Sequence, residues 1–227
     1  MLESFSVTEK PGLILASNSP RRRQLLELAG WRFSVSVADV DESQRLNESP
    51  AEYVLRLAET KARAAAAVAE ADQIVLAADT TVVDGTDILG KPADSAEAIA
   101  MLKRLRAHTH QVYSGIALLR LSDGLLLRDL CVTDVPMRDY SDEELLAYVQ
   151  TGDPLDKAGA YAIQHPEFRP VLNLEGCYAS VMGLPMCHVI LLMRKMNLQP
   201  KADFWAGCET LLEYKCPVDL TGLHSER

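Results

Sequence analysis

The chain has 227 residues, enough to bury a full hydrophobic core, and its 48% hydrophobic and 24% charged residues are typical of a globular protein. The net charge of −9 argues against a general nucleic-acid binder, so no stable nucleic-acid partner is expected. The five cysteines are odd in number and form no Cys-x-x-Cys pair, which predicts reduced thiols in a cytoplasmic protein. The segment Met1 to Gly12 has no apolar signal core, and the longest apolar run, 189–193, is too short to span a bilayer.

The N-terminal half alternates between strand and helix patterns. The predicted elements are a strand over 12–17, a helix over 20–29, a strand over 33–38, a helix over 50–71, a strand over 74–78 and a hairpin over 82–89. Ser19 reads as a helix N-cap followed by Pro20 at the first helical position, and Ser49 to Glu52 form a capping box. This alternation predicts a mixed α/β fold.

The C-terminal half begins with a helix and a long antiparallel pair of strands. The predicted elements are a helix over 94–106, strands near 109–121 and 124–137, a helix from Ser141 closed by Gly152, loop and short strand over 153–183, and a helix over 185–196. The remaining residues, 200–227, have weak periodicity and read as an appendage that is part helix and part tail.

Three arginines, Arg21 to Arg23, fall in the first turn of the predicted 20–29 helix. That turn already carries positive partial charge, so acidic residues are expected there instead. A strand, a tight turn, free backbone N–H groups and convergent arginines together indicate a phosphate site. The alternative is a solvated basic face, and the motif alone leaves both open.

Two further residues are misplaced for a simple core. Asp79 follows the apolar strand 74–78, where ligands of open α/β sheets bind, and a carboxylate there can hold a divalent cation or accept a proton from water. A turn acid that ends the strand is the alternative. Lys61 falls on the apolar stripe of the 50–71 helix, a stripe made of Val54, Leu57, Ala58, Ala65 and Val68, so its ammonium either snorkels to solvent or meets an anion.

Three other charged residues, Glu42, Lys91 and Lys157, each read alone as surface charges. Combined with the arginines, Lys61 and Asp79, they suit a metal-bridged triphosphate: the cations neutralise phosphate oxygens, and the acids hold the metal or activate water. His108 and His110 read as exposed strand residues or a metal pair without a third ligand, and Cys177 as a buried thiol or a nucleophile without an activating base.

Five blocks in order resemble the Maf family of nucleoside triphosphate pyrophosphatases, which are also described as septum-formation inhibitors. The blocks are Leu15 to Arg22, Ala77 to Thr80, Gly90 to Pro92, Asp156 to Tyr161 and Ser180 to Pro185, and the resemblance spans about residues 12–197. It implies an α/β, inosine-triphosphatase-like (Maf/Ham1-type) architecture: a mixed sheet with flanking helices and two lobes around a cleft.

The same resemblance implies an activity. The family cleaves between the α and β phosphates with a divalent cation, Mg²⁺ or Mn²⁺, and Asp79 matches its proton acceptor. Glu42 would share the metal with Asp79. The matching polar positions of the catalytic cleft are Ser19, Arg22, Glu42, Lys61 and Lys91.

The combination of Arg21, Thr80 and Gln164 resembles the subgroup that acts on dTTP and UTP, and Lys157 is a further expected substrate contact. A Gln amide both donates and accepts, which suits the edge of uracil or thymine. His165 and Pro166 stand where the family usually has Gly, so pyrophosphatases of modified pyrimidine or methylated nucleotides such as 7-methyl-GTP remain alternatives. The family's other name leaves a further alternative, a non-enzymatic nucleotide-binding regulator of cell division.

The expected organisation is one domain over 1–199 with a C-terminal extension over 200–227. The extension lies beyond the usual family end. It could pack on an oligomer surface, which would make the protein a homodimer, or cover the cleft.

Overall fold

A computed structural model describes residues 12–37 and 39–217. Three parts of the chain lie outside the described residues: 1–11, Ala38 and 218–227. Most of the N-terminal segment that was predicted to have no apolar signal core therefore lies outside them, as does the end of the strand predicted over 33–38. The strands are β1 (Leu13–Leu15), β2 (Phe33–Val35), β3 (Ile74–Asp84), β4 (Asp87–Leu89), β5 (Thr109–Arg120) and β6 (Leu126–Pro136). The helices are α1 (Pro20–Glu27), α2 (Pro50–Ala66), α3 (Ser95–Leu105), α4 (Asp142–Gln150), α5 (Tyr178–Val181), α6 (Met186–Lys195) and α7 (Phe204–Leu212).

One mixed sheet organises the chain in the order β2-β1-β3-β5-β6, with β4 paired to β3. The first three strands run parallel, and β3, β5 and β6 form an antiparallel meander. The predicted mixed α/β class with flanking helices is therefore confirmed. The parallel pairing of β1 with β3 ends at Leu15 and Leu76, so the edge of β3 that faces β1 has no partner strand among the described residues until β4 pairs with it from Val82.

Helix α2 packs flat across β3 and β5 on one face of the sheet. Its buried side chains are small over the contact, with Ala58, Ala62 and Ala65 fully enclosed. Gly115 of β5 makes the approach possible, because a Cβ at that position would lie 2.7 Å from the backbone carbonyl of Val54. The predicted stripe fails at Val68, which is 79% exposed, because the helix ends at Ala66.

The larger hydrophobic cluster lies on the other face and includes residues of α1, α3, α4, α5 and α6. Phe204 of α7 is fully buried in this same cluster, and the Trp31 indole donates to the carbonyl of Gln199 at 2.9 Å. The first part of the extension, up to Pro217, is thus packed on the main domain. No helix among the described residues has the length and apolar character needed to cross a membrane.

Two other predicted elements need correction. The strand predicted over 74–78 runs on to Asp84, so Asp79 lies within β3 instead of at its end. The 153–183 segment contains two 3-10 turns (Asp153–Asp156 and Ala158–Ala160) and α5, and the expected short strand is reduced to one isolated bridge between Val171 and Met137.

Candidate active site

Asp79 lies three residues past the last pair between β3 and β1. In an uninterrupted sheet the backbone here would be covered by the neighbouring strand, but β1 has already ended. The gap leaves the edge of β3 to side chains from α1 and α2. Asp79 is only 7% exposed, so its carboxylate needs a partner that compensates for lost hydration.

Lys61 supplies that partner. Its Nζ lies 2.6 Å from Asp79 Oδ1 and 2.6 Å from Glu42 Oε1, so one ammonium joins two carboxylates from different parts of the chain. The position of Lys61 on the buried side of α2 therefore has a cause, because it meets an anion there. Glu42 lies on the solvent-facing side of the cluster, and its side chain is 53% exposed. The Tyr53 hydroxyl donates to the Glu42 carbonyl at 2.9 Å, which ties the loop to α2.

Arg22 of α1 reaches across the gap to the residue before Asp79. Its Nη1 donates to the Ala78 carbonyl at 2.7 Å and to Ser17 Oγ at 3.3 Å, and its Nε donates to the Gly183 carbonyl at 2.8 Å. Its Nη2 donates to Thr80 Oγ1 at 3.3 Å. Desolvation in this network lowers the pKa of Arg22, against the attraction of Asp79. Four N–H donors of Arg22 are thus used by the protein itself.

The Thr80 hydroxyl belongs to the same network. It lies 2.8 Å from Ser114 Oγ, and Ser114 donates to the Ser180 carbonyl at 2.9 Å. Sequence reasoning did not identify Ser17, Ser114 or Gly183 as members of this site. Ser114 lies inside an uninterrupted strand and carries no local signal, whereas Gly183 belongs to a block that the family resemblance had already marked.

The loop before α1 places the other predicted residues of the phosphate motif. Ser19 is the N-cap of α1, and its hydroxyl accepts from the Arg22 N–H at 3.4 Å, as predicted. The Nε of Arg21 is buried and has no hydrogen-bond partner within the described chain. Arg21 is near enough to Tyr148 to act on its ionisation. A buried unpaired guanidinium N–H is costly in a protein alone, so it marks a place where an anion or acceptor from a ligand fits.

Neither Lys91 nor Lys157 forms an ion pair with Asp79 or Glu42 among the described residues. Lys91 is exposed on the loop after β4, and no ion pair joins it to Asp79 in the described ranges. Lys157 is buried, contrary to its interpretation as a surface charge, and its Nζ contacts the carbonyl and carboxylate of Asp153 and the carboxylate of Asp156 at 2.6–2.9 Å. These three bonds use all its donors within its own turn.

Gln164 is exposed and lines a cavity of about 710 Å³. The walls come from α1, from the loop that follows Gln164 and from the C-terminal extension. The lining residues include Gln24, Gln164, Leu212 and Tyr214. The Tyr214 hydroxyl lies 2.8 and 2.9 Å from the carbonyl oxygens of Leu174 and Gly176, which share its one proton, and this contact fixes the extension against that loop.

The donor set at Asp79 fits a divalent cation only together with a substrate. No group of three or more His, Cys, Asp or Glu ligands occurs in residues 12–37 and 39–217. Mg²⁺ in nucleotide enzymes is held by one or two carboxylates plus phosphate oxygens, and Asp79 and Glu42 provide two carboxylates that already converge on one positive charge.

The two histidines and the cysteine that the sequence offered as weaker candidates lie in structural contacts. His110 is buried, which corrects the expectation that it is exposed, and its Nε2 lies 2.8 Å from the Tyr161 hydroxyl. His108 is exposed and pairs with Asp84 at 3.0 Å. Cys177 is a buried thiol, as expected.

Comparison with known proteins agrees with the resemblance. The sequence matches the family described as Maf-like protein over residues 12–196. A "dTTP/UTP pyrophosphatase" of Dehalococcoides mccartyi (strain 195) is 43% identical over 94% of this chain and 97% of its own, and one of Geobacter sulfurreducens is 45% identical over 83% and 98%. A solved HAM1 protein from Coxiella burnetii is 19% identical, with a TM-score of 0.42 over 69% of this chain and 88% of its own.

Proposed function

Because the chain belongs to the Maf family, we propose that it is a nucleoside triphosphate pyrophosphatase that hydrolyses dTTP and UTP to the nucleoside monophosphate and pyrophosphate. The observation that carries the proposal is the ammonium of Lys61 held between the carboxylates of Asp79 and Glu42. Metal-assisted phosphoanhydride cleavage requires carboxylates that can hold a metal or accept a proton and a cation that can neutralise phosphate charge, and these three side chains meet beside β3.

Asp79 is the proposed proton acceptor. Its Oδ1 is bound by Lys61, which fixes the direction of the carboxylate, and the other oxygen remains to take a proton from the attacking water. Lys61 also adds positive charge where negative charge grows on the phosphates during attack. Glu42 and Asp79 would hold the Mg²⁺ or Mn²⁺ ion, which neutralises phosphate charge when bound.

Arg22 and Thr80 are proposed as positioning residues. The contacts of Arg22 with the Ala78 and Gly183 carbonyls brace β3 next to Asp79, and the Thr80 hydroxyl completes that brace. Lys157 likewise stabilises its own turn. Ser19 presents the first N–H groups of α1 to the phosphates, and the exposed Lys91 is free to meet the leaving pyrophosphate.

The cavity beside Gln164 is the proposed base pocket. Its volume of about 710 Å³ exceeds what one pyrimidine base fills, and its polar lining from Gln24 and Gln164 suits a donor–acceptor edge. Arg21, with its unpaired Nε, lies one helical turn from Gln24. Leu212 and Tyr214 of the extension line the same cavity, so the extension shapes the base pocket.

Pyrophosphate release across a nucleotide panel tests the function. We expect dTTP and UTP to be hydrolysed in Mg²⁺ or Mn²⁺, with dCTP, dATP and 7-methyl-GTP at least about tenfold slower, since a Gln164 amide that a bound base covers but leaves unpaired costs about 1–3 kcal/mol. Reaction in H₂¹⁸O should place the label in the nucleoside monophosphate. Preference for 7-methyl-GTP would overturn the substrate assignment, and no release from any nucleotide by folded, metal-loaded protein would overturn the activity.

A further inference from the structure

The segment 162–168, which carries Gln164, is tied to the side chain of Tyr148 near the end of α4. Tyr148 is buried, and its hydroxyl donates to Asp153 Oδ2 at 2.7 Å and accepts the Ala162 N–H at 3.0 Å. The hydroxyl therefore joins the turn after α4 to the backbone two residues before Gln164. The mechanism above gives Tyr148 no role.

The buried Lys157 fixes the direction of these hydrogen bonds. Its Nζ binds Asp153 Oδ1 at 2.9 Å, which leaves Oδ2 to accept from the Tyr148 hydroxyl. Burial and the neighbouring Asp153 carboxylate raise the pKa of Tyr148, so the hydroxyl keeps its proton and donates it. A lone pair of the hydroxyl oxygen then faces the Ala162 N–H. One continuous series of hydrogen bonds thus runs from Lys157 to the backbone of the segment 162–168.

The ring of Tyr148 contacts the same segment on the other side of Gln164. It stacks on Phe168, with ring centroids 4.3 Å apart and planes at 13°, and meets the edge of His165 at 4.7 Å and 67°. His165 Nδ1 accepts the Phe168 N–H at 3.0 Å, so these two residues are also joined to each other. Tyr148 therefore holds the backbone before Gln164 through its hydroxyl and the residues after it through its ring.

The turn that leads into the segment has strained backbone. Ala160 has a φ of 61° although it is fully buried, and it follows Gly159 with a φ of 68°. Gly159 is also closely packed, because a Cβ there would lie 2.8 Å from Val82 Cγ2. A buried alanine stays in the left-handed region only where the surrounding contacts over-determine it, and such strain is found where a fold must hold one geometry.

The role proposed for Gln164 requires such a fixed backbone. Gln164 is exposed, so the position of its amide depends on where the segment 162–168 carries it. Hydrogen bonds to the edge of a base weaken steeply with distance and angle, and a displacement of the amide would weaken those to the correct base most. A segment that is already ordered also loses less conformational freedom when the nucleotide binds.

We propose that Tyr148 is a positioning residue, whose hydroxyl and ring hold the segment 162–168 in one conformation and thereby set the preference for a uracil or thymine edge over cytosine. This inference rests on the proposed function, in which Gln164 contacts the base. Tyr148 acts through Gln164 and does not itself contact the nucleotide.

Tyr148→Phe tests the proposal, and Tyr140→Phe is its matched control. Tyr140 is also buried, and its ring also contacts Phe168, with centroids 4.8 Å apart. Its hydroxyl, however, donates to the Leu102 carbonyl in α3 at 2.6 Å and not to the segment 162–168. Each variant removes one buried hydroxyl and keeps the ring, so both should lower the midpoint of urea unfolding to a similar extent.

Steady-state kinetics with dTTP and dCTP give the first measurement. Tyr148→Phe should raise the KM for dTTP about tenfold with kcat within about twofold, and should lower the dTTP-to-dCTP ratio of kcat/KM at least about fivefold. Tyr140→Phe should keep the wild-type ratio. In the background of Gln164→Ala, Tyr148→Phe should change the ratio by less than about twofold, because the residue through which it acts is gone. An equal change in both backgrounds, or the same loss in Tyr140→Phe, would overturn the proposal.

Amide hydrogen exchange in the nucleotide-free full chain gives the second measurement. The segment 162–168 should exchange at least about tenfold faster in Tyr148→Phe than in the wild type, whereas Tyr140→Phe should leave it unchanged. Unchanged exchange in Tyr148→Phe would overturn the proposal whatever the kinetics show. A wild type that hydrolyses no nucleotide would instead overturn the proposed function and the selectivity with it, and exchange would still decide whether Tyr148 holds the segment.

Discussion

Replacing Lys61 by Met leaves the length of the side chain but removes the charge between Asp79 and Glu42. At an effective dielectric constant of about 20, two unit charges at the 2.6 Å separation of Lys61 and Asp79 attract by roughly 6 kcal/mol. Desolvation of the ammonium offsets part of that, and the exposed Glu42 adds at most about 1 kcal/mol. We expect Lys61→Met to lower the free energy of unfolding by about 3 kcal/mol because it leaves a buried carboxylate unpaired.

Urea unfolding and dTTP turnover measure the two consequences. The matched control is Lys103→Met, since the pair of Lys103 and Asp142 is similar in length at 2.9 Å but about half exposed on both sides, and it should cost less than about 1 kcal/mol. Lys61→Met should also reduce kcat by about 10²–10³-fold, as loss of one charged stabiliser does. A stability loss equal to that of Lys103→Met, together with unchanged turnover, would refute the reasoning.

Three other predictions concern separate parts of the molecule. Burial lowers the pKa of His110 to about 4, so the unfolded chain binds more protons than the folded protein between about pH 6.5 and 4. The free energy of unfolding should therefore fall by about 2 kcal/mol from pH 7 to 5, and His110→Gln should flatten this pH dependence in urea unfolding. Tyr214→Ala should raise the KM for dTTP with kcat nearly unchanged, because it opens one wall of the base pocket. Gly115→Ala should cost about 2–3 kcal/mol in unfolding free energy, since its Cβ would meet the Val54 backbone.

Each has its control. A pH slope of His110→Gln equal to that of the wild type would show that His110 is not buried neutral. Thr210→Ala, on the exposed side of α7, should leave the KM unchanged, and an equal effect would deny Tyr214 its place in the pocket. Gly90→Ala has no atom within 4 Å of the new Cβ and should be near neutral. A neutral Gly115→Ala would contradict the close approach of α2.

The sequence predicts best what is decided within one helical turn. The N-caps Ser19, Ser49, Asp94 and Ser141 all accept from the backbone N–H three residues on, and each helix begins where its cap predicts. The end of α2 is different, because the alanine-rich sequence continues without a stop signal. The helix ends at Ala66 because the chain must then reach the start of β3 at Ile74, and no local sequence pattern predicts this end.

The sequence indicates candidate residues for the site, but it does not predict which of them contact each other. The misplaced charge of Lys61 already indicates an anion nearby, and Asp79 follows an apolar run. That the two meet depends on β1 ending early and on α2 lying flat against Gly115. One hydrogen bond of Arg22 goes to the carbonyl of Gly183, 161 residues along the chain, and no local pattern in the sequence predicts that contact.

The most direct test of the central claim is the single-turnover rate of Asp79→Asn with dTTP and Mg²⁺. If Asp79 accepts the proton of the attacking water, the rate at saturating dTTP and Mg²⁺ should fall by about 10²–10⁴-fold in a protein that still folds. Asp84→Asn makes the same chemical change on the same strand and should keep full activity. A folded Asp79→Asn protein that hydrolyses dTTP at nearly the wild-type rate would contradict the account.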